Sequence, residues 1–204
     1  MTRVRFRLAL ALLALVVFLP ALLVAQSSNS PLLLRNPSLS QDKIAFLYAD
    51  DVWTVSRQGG EAQRLTSNGN VVAGPFFSPD GTQIAYTAHL NGNYDVYVAP
   101  AAGGVPHRIT WHPAGSRVVG WSPDGKNVLI AAMALSYRHF LKLFLVHADG
   151  SGMPEPLPLP AGEEGSFSPD GQSLAYEPVT RIEPAWKRYK IGRASCRERV
   201  CLAV

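Results

Sequence analysis

The chain has 204 residues, 47% of them hydrophobic, with 19 Lys and Arg against 15 Asp and Glu for a formal net charge of +4. That charge is an end effect: the first 25 residues carry three Arg and no acid, and the last fourteen carry three Arg and one Glu, which leaves −1 for residues 26–190. A nucleic-acid-binding chain would need its basic surface in the folded part, so that class is excluded.

Arg3, Arg5 and Arg7 precede an apolar run from Leu8 to Val24 that is interrupted by Pro20. A basic segment followed by an apolar one is the layout of a secretory signal, so residues 1–25 are expected to be a signal peptide cleaved after Ala25 or Ser27. The run lies at the lower length limit for a membrane span, so an uncleaved N-terminal anchor with cytoplasmic arginines is the alternative. Both readings export the rest of the chain, and the periplasm is the expected compartment. The membrane is then reached through that segment alone.

From residue 31 the chain repeats itself. Ser-Pro-Asp-Gly stands at Ser78–Gly81, Ser122–Gly125 and Ser168–Gly171, at spacings of 44 and 46 residues. A period of about 40–45 residues is that of four-stranded propeller blades. Proline presets φ, the Asp side chain can bond its own backbone, and Gly accepts positive φ, so each copy is a tight turn. Short first strands lead into it: Gly74–Phe77, Val118–Trp121 and Glu164–Phe167. Ile44-Ala45-Phe46, Ile84-Ala85-Tyr86, Val128-Leu129-Ile130 and Leu174-Ala175-Tyr176 read as second strands. Asp51-Val52-Trp53-Thr54, Asp95-Val96-Tyr97-Val98 and Lys142-Leu143-Phe144-Leu145 read as third strands. Gly-rich turns at residues 58–60, 102–104 and 149–152 lead to Arg64-Leu65-Thr66 and Arg108-Ile109-Thr110, with Glu155-Pro156-Leu157 as the decayed third copy. The runs are β-branched and aromatic, bounded by Gly, Pro, Asn and Asp. No stretch after residue 30 holds a helical period, Ala131–Leu145 coming nearest. The expectation is an all-β fold: a partial β-propeller of four-stranded antiparallel blades, about three and a half of them over residues 31–190. Propellers close with four to eight blades, so an open edge and reduced solubility are expected of this polypeptide alone.

The last fourteen residues break the pattern. Ile191–Val200, IGRASCRERV, looks like a translated sequencing-adapter fragment, and residues 191–204 are expected to be a non-native tail. Both cysteines, Cys196 and Cys201, lie in it, so neither a zinc site nor a native disulfide is expected.

Catalytic chemistry is not visible either. There is no Gly-x-Ser-x-Gly elbow, His-Glu-x-x-His, P-loop or Rossmann glycine pattern. His89, His107, His112, His139 and His147 sit beside turns or strand ends, and none is at i, i+4 ligand spacing. Calcium loops need several alternating oxygen ligands, whereas each Pro-Asp-Gly turn offers one Asp. No catalytic residue, metal or cofactor is therefore expected in the fragment.

Binding is the remaining option. In a four-stranded meander the Pro-Asp-Gly and Gly-Gly turns share one face, and both are uniform. The other face carries irregular segments at residues 67–73, 111–117 and 158–163, and at 89–94, 136–141 and 178–190. Variable loops on a rigid scaffold are where binding residues gather. The candidate rim is Trp111, His112, Tyr137, Arg138, His139, Trp186, Lys187, Arg188 and Tyr189, residue types enriched at interaction hot spots. It would dock a polypeptide or an adjoining domain; the competing reading has the aromatics capping the core and the cations making ordinary surface contacts.

The repeat resembles the PD40-type propellers of TolB and of tricorn-type proteases. Arg35-Asn36-Pro37-Ser38-Leu39-Ser40, the run from Gly74 through Tyr97, Thr110–Gly115 and Trp186-Lys187-Arg188-Tyr189 are similar to bacterial tricorn homologues. That resemblance implies an exported serine protease with two propellers, a PDZ-like module and a C-terminal catalytic domain far downstream. It implies a six-bladed parent propeller that gates peptide passage, and a homo-oligomeric parent is an expectation of the same kind. A TolB-like binding propeller without hydrolase activity is the main alternative. The propeller of a prolyl-oligopeptidase-type hydrolase is a weaker one.

Overall fold

The computed structural model describes residues 33–67, 69–134 and 140–178, together with the backbone of a strand at 200–203. The expected signal segment, residues 1–25, lies outside the described residues. Every described regular element is a strand, and each sheet is antiparallel. The first sheet runs β1 (Arg35–Leu39), β2 (Lys43–Tyr48), β3 (Asp51–Ser56), β4 (Gln63–Arg64). The second runs β5 (Val71–Phe77), β6 (Gln83–Leu90), β7 (Asn93–Pro100), β8 (His107–Arg108). The third runs β9 (Ser116–Trp121), β10 (Asn127–Ala132), β11 (Lys142–His147), β12 (Glu155–Pro156). A fourth holds β13 (Gly165–Phe167), β14 (Ser173–Tyr176) and β15 (Val200–Ala203). Strands follow chain order in every sheet, so each sheet is a meander, and the all-β partial propeller is the observed fold. The near-helical stretch around Ala131–Leu145 contributes strands β10 and β11 where it is described.

One turn chemistry sets the register of three sheets. Ser78, Ser122 and Ser168 each donate through Oγ to the following Asp, at 2.6, 2.5 and 2.5 Å. The same hydroxyls accept the N–H of Gln83, Asn127 and Ser173 at 2.9, 2.9 and 3.0 Å. Gly81, Gly125 and Gly171 have φ of 72°, 70° and 72°, the left-handed region where a side chain is strained. In the first sheet a shorter turn does the same work: Ser40 Oγ donates to Asp42 at 3.0 Å and accepts the Lys43 N–H at 3.0 Å. In the three Ser-Pro-Asp-Gly turns these bonds hold Asp80, Asp124 and Asp170 below the ordinary carboxylate range, the serine hydroxyl being the largest cause.

Three boundaries differ from the sequence reading. First strands β5 and β9 begin at Val71 and Ser116, earlier than expected: bulges carry the β5–β6 ladder past Gly74-Pro75, and another carries the β9–β10 ladder on to Ser116 opposite Ala132. The segment 89–94, expected as a loop, belongs almost wholly to β6 and β7: His89 pairs with Tyr94 and Leu90 with Asn93. Only Asn91 and Gly92 turn the chain, both with positive φ, as a two-residue hairpin requires. In the third sheet Pro156, not Glu155, stands opposite Phe144 at the place of Arg64 and Arg108, a one-residue shift from the sequence alignment.

The fourth sheet takes its third strand from the tail. Val200–Ala203 pairs with β14 through Tyr176↔Val200 and Ser173↔Ala203. An open strand edge offers backbone donors and acceptors to any extended segment, whatever its origin.

The core lies between sheets rather than within one. Ala45, Leu47 and Val52 of the first sheet pack with Ile84, Tyr86 and Ala99 of the second. Ala85, Val96 and Val98 then meet Trp121, Val128, Ile130 and Phe144 of the third. Leu129, Ala131 and Leu143 meet Leu174 and Tyr176 of the fourth. Each fully buried Leu, Ile, Val or Phe contributes about 1.5–3 kcal/mol, so the three seams are the main source of stability. Polar bonds fix their register. Trp121 Nε1 donates to the Phe76 carbonyl at 2.9 Å, and the buried Thr87 hydroxyl accepts the Val118 N–H at 2.8 Å.

Candidate functional site

Two buried aspartates organise the face that carries the sheet-to-sheet connections. Asp95, the third residue of β7, is fully buried. Its carboxylate accepts from Thr110 Oγ1 at 3.2 Å and from Asn93 Nδ2 at 3.2 Å, and Arg108 Nη2 lies 2.8 Å away. Thr110 Oγ1 in turn accepts the Val96 N–H at 2.9 Å. A burial this complete would be costly for an unpaired charge, and here every partner is supplied by the same blade. Asp51 repeats the scheme with Thr66 Oγ1 at 2.7 Å and the Gly69 N–H at 3.1 Å, but Arg64 stays 3.9 Å off. The third blade has lost the set together: Lys142 holds the aspartate place, Pro156 the arginine place and Pro158 the threonine place. Losing all three at once avoids leaving a buried charge unpaired. The Asp–Thr pairing is absent from the sequence reading, although both triplets recur 44 residues apart.

The described members of the candidate rim are Trp111 and His112. Neighbours in sequence, they are used differently. The Trp111 ring lies over the Arg108 guanidinium, 5.9 Å from the centroid. A Cβ at Gly150 would sit 3.4 Å from its Cη2, so the indole runs along the seam toward the third blade's outer turn. It remains 58% exposed. His112 caps the connection instead: its Nδ1 accepts the Ala114 N–H at 3.1 Å, and its carbonyl accepts Asn93 Nδ2 at 3.0 Å and the Gly115 N–H at 3.0 Å. The His89 and Tyr94 rings meet at a tilt of 36° with centroids 4.5 Å apart. Tyr137, Arg138, His139, Trp186, Lys187, Arg188 and Tyr189 lie outside the described residues.

An open cleft of about 1010 Å³ lies along the first strands, lined by Phe76, Val119, Trp121, Ser166, Phe167 and Tyr176 among others. Glu164 also faces it, and its carboxylate holds Arg117 Nη1 at 2.6 Å, tying the third sheet to the fourth. The turn prolines Pro79, Pro123 and Pro169 line the same cleft. The walls mix the two kinds of group, with Phe76, Phe77, Trp121, Phe167 and Tyr176 beside Glu164, Ser166, Ser168 and Glu177.

Other candidate chemistry is accounted for by structure. His107 Nε2 contacts the Ala148 carbonyl at 2.7 Å across the seam between the second and third sheets. Ser78, Ser122 and Ser168 spend their hydroxyl protons on the turn aspartates. Tyr86 is buried and its phenol is pushed well above the usual range by desolvation, so it stays protonated. Among the described residues no group of His, Cys, Asp and Glu is arranged to hold a metal ion, and no buried side-chain polar atom lacks a partner.

Comparison with known proteins places this architecture. A tricorn protease homolog of Streptomyces coelicolor is 33% identical over 172 residues, which cover 81% of this chain and 15% of that protein. A putative tricorn-like protease N-terminal subunit of Sulfurisphaera tokodaii is 25% identical over 162 residues, covering 77% of this chain and 80% of that one. Among solved structures, the crystal structure of the tricorn protease superposes with a TM-score of 0.62 at 29% identity, over 72% of this chain and 15% of that chain. A putative TolB from Agrobacterium tumefaciens shares the fold at a TM-score of 0.62 and 21% identity, over 72% of this chain and 54% of that chain. The chain thus spans about a seventh of the length of its Streptomyces relative. Residues 31–197 match the family described as the tricorn protease N-terminal beta propeller domain, and the chain belongs to that family.

Proposed function

We propose that these blades are the non-catalytic propeller module of an exported tricorn-like serine protease, where they gate or scaffold the passage of polypeptide to a catalytic domain carried elsewhere. The observation that carries the reading is the match of residues 31–197 to the tricorn protease N-terminal beta propeller domain. Export follows from Arg3, Arg5 and Arg7 ahead of the apolar run, and a periplasmic location from the resemblance to TolB and tricorn homologues. The rim of Trp111, His112, Tyr137, Arg138, His139, Trp186, Lys187, Arg188 and Tyr189 is the part of the reading that names contacts. Its partners would be a polypeptide or the adjoining domains of a parent that assembles from several copies. Nucleic acid is not among them, given the net charge of −1 over residues 26–190.

The test is a full-length parent enzyme bearing Arg138→Ala with Arg188→Ala, and separately Trp111→Ala. Turnover of an unfolded polypeptide should fall severalfold while that of a tripeptide substrate holds. If both substrates are turned over as before and the domains pack unchanged, the docking rim is wrong. The TolB likeness at 21% identity supports the fold alone, so a binding propeller without hydrolase activity stands second.

A further inference from the structure

Asn or Asp precedes glycine at six places: Asn68-Gly69 and Asn91-Gly92, and the Asp-Gly pairs at 80–81, 124–125, 149–150 and 170–171. At each the chain can react with itself, because a glycine nitrogen meets no Cβ of its own as it approaches the preceding side-chain carbonyl carbon. Attack needs that nitrogen to give up its proton. It also needs a carbonyl carbon that carries a leaving group.

The Asp-Gly turns deny both conditions. Their glycine N–H groups donate to backbone carbonyls: Gly81 to Ser78 at 2.8 Å, and Gly125 to Ser122, Gly171 to Ser168 and Gly150 to His147 at 2.9 Å each. Hydrogen bonds from Ser78, Ser122, Ser151 and Ser168 hold the four aspartates below the ordinary carboxylate range, so each stays an anion without a leaving group. At the first Asn-Gly pair the Gly69 N–H donates to the carboxylate of buried Asp51 at 3.1 Å. A charge-assisted bond of this kind holds the proton in place.

Asn91-Gly92 has no such guard. Among the described residues the Gly92 N–H has no hydrogen-bond partner, and neither has the exposed Asn91 amide. The pair forms the tip of the β6–β7 hairpin, beyond Leu90↔Asn93, with positive φ at both residues. The backbone of the tip has to rotate to bring the nitrogen onto the amide carbon. A Cβ on Gly92 would meet nothing within 4 Å, so no packing opposes that rotation.

We propose that Asn91 is a site of spontaneous deamidation, the first of the six to react in the folded chain. Gly92 N bonds to Asn91 Cγ and its proton passes to solvent. The Cγ–Nδ2 bond breaks, and Nδ2 takes a proton from solvent and leaves as ammonia. Water then opens the cyclic imide at either carbonyl, giving aspartate or isoaspartate. One water is consumed and one ammonia released, with no change in oxidation state. Either product sets a negative charge two residues from Asn93, whose Nδ2 holds Asp95 and the His112 carbonyl. Isoaspartate also lengthens the hairpin backbone by one carbon.

Both amide sites read Asn-Gly-Asn, so the chain carries its own control. The full chain is aged in mildly alkaline buffer, native and in urea, and mapped by mass spectrometry with fragmentation that separates residue 68 from residue 91. In urea the two sites should convert at the same rate. In the folded chain Asn91 should convert faster than Asn68 by about tenfold or more, the factor set by one hydrogen bond to a charged group. A native ratio no larger than the urea ratio overturns the proposal. So does an Asn91 that converts in urea but not in the folded chain, or isoaspartate that forms in the fold at Asp80, Asp124, Asp149 or Asp170 as fast as at Asn91.

Discussion

Arg108 holds Asp95 at 2.8 Å, while Arg64, its counterpart one blade earlier, stands 3.9 Å from Asp51. The sequence copies the motif with a spacing of 44 residues, but the two pairs are not equivalent in energy. The Arg108 side chain is mostly covered and lies beneath Trp111, whereas that of Arg64 is half exposed.

Removing Arg108 should therefore leave a buried carboxylate without its cation. Arg108→Ala is expected to cost about 3–5 kcal/mol in urea unfolding, the range for breaking a buried pair. Arg64→Ala should cost less than about 1 kcal/mol, because the half-exposed Arg64 stands too far off to hydrogen-bond Asp51, which keeps Thr66 and the Gly69 N–H. Equal losses at the two sites would show that Thr110 and Asn93, rather than Arg108, keep Asp95 satisfied.

Thr87 makes the backbone bond between the second and third blades. Thr87→Val keeps the shape but leaves the buried Val118 N–H unpaired, for an expected loss of about 1–3 kcal/mol. Thr87→Ser, which keeps the hydroxyl, should recover much of it. A valine variant as stable as the parent would mean that water or a shifted carbonyl replaces the bond.

The turn aspartates set an acid limb. Hydrogen bonds from Ser78, Ser122 and Ser168 depress the pKa of Asp80, Asp124 and Asp170 in the folded chain. A depressed folded pKa gives stability that is present above the unfolded value of 3.8 and is lost as pH falls through the folded one. Replacing all three serines by alanine should shrink the stability difference between about pH 6 and about pH 3. Unfolding midpoints across that interval report it, and an unchanged acid limb would assign it to other carboxylates.

Gly74 separates space from conformation. Its φ is 89°, and a Cβ there would lie 3.0 Å from both the Ala85 carbonyl oxygen and the Tyr86 Cα. Gly59 has φ of 90° with nothing within 4 Å. Gly59→Ala should cost about 1–2 kcal/mol of left-handed strain alone. Gly74→Ala adds backbone displacement where β5 crosses β6 and should cost clearly more; similar melting temperatures for the two variants would contradict the close approach.

The repeat is legible in the sequence because its turns depend on local chemistry. Ser, Pro, Asp and Gly at fixed offsets specify their own bonds, and the strands between them follow. The features that sequence does not reveal need register or tertiary contact. The first blade's turn, Ser40 to Lys43, lacks Pro and Gly, yet uses the same serine–aspartate bond. Asn91-Gly92 sits inside a stretch that reads as a six-residue loop, although strand pairing runs right up to it. The pairing of Asp95 with Thr110 joins residues fifteen apart and appears only when β7 meets β8. Trp111 and His112 read as one patch in sequence, but Arg108 draws the indole along the seam while the Asn93 amide ties His112 to the connection.

Whether these blades belong to a longer exported protease is decided by sequencing the source locus across codon 190. An open frame that runs past Tyr189 into further Ser-Pro-Asp-Gly units, and then into a domain with a serine nucleophile and its histidine, is the expected result. A frame that encodes Ile191–Val204 and stops there would contradict it.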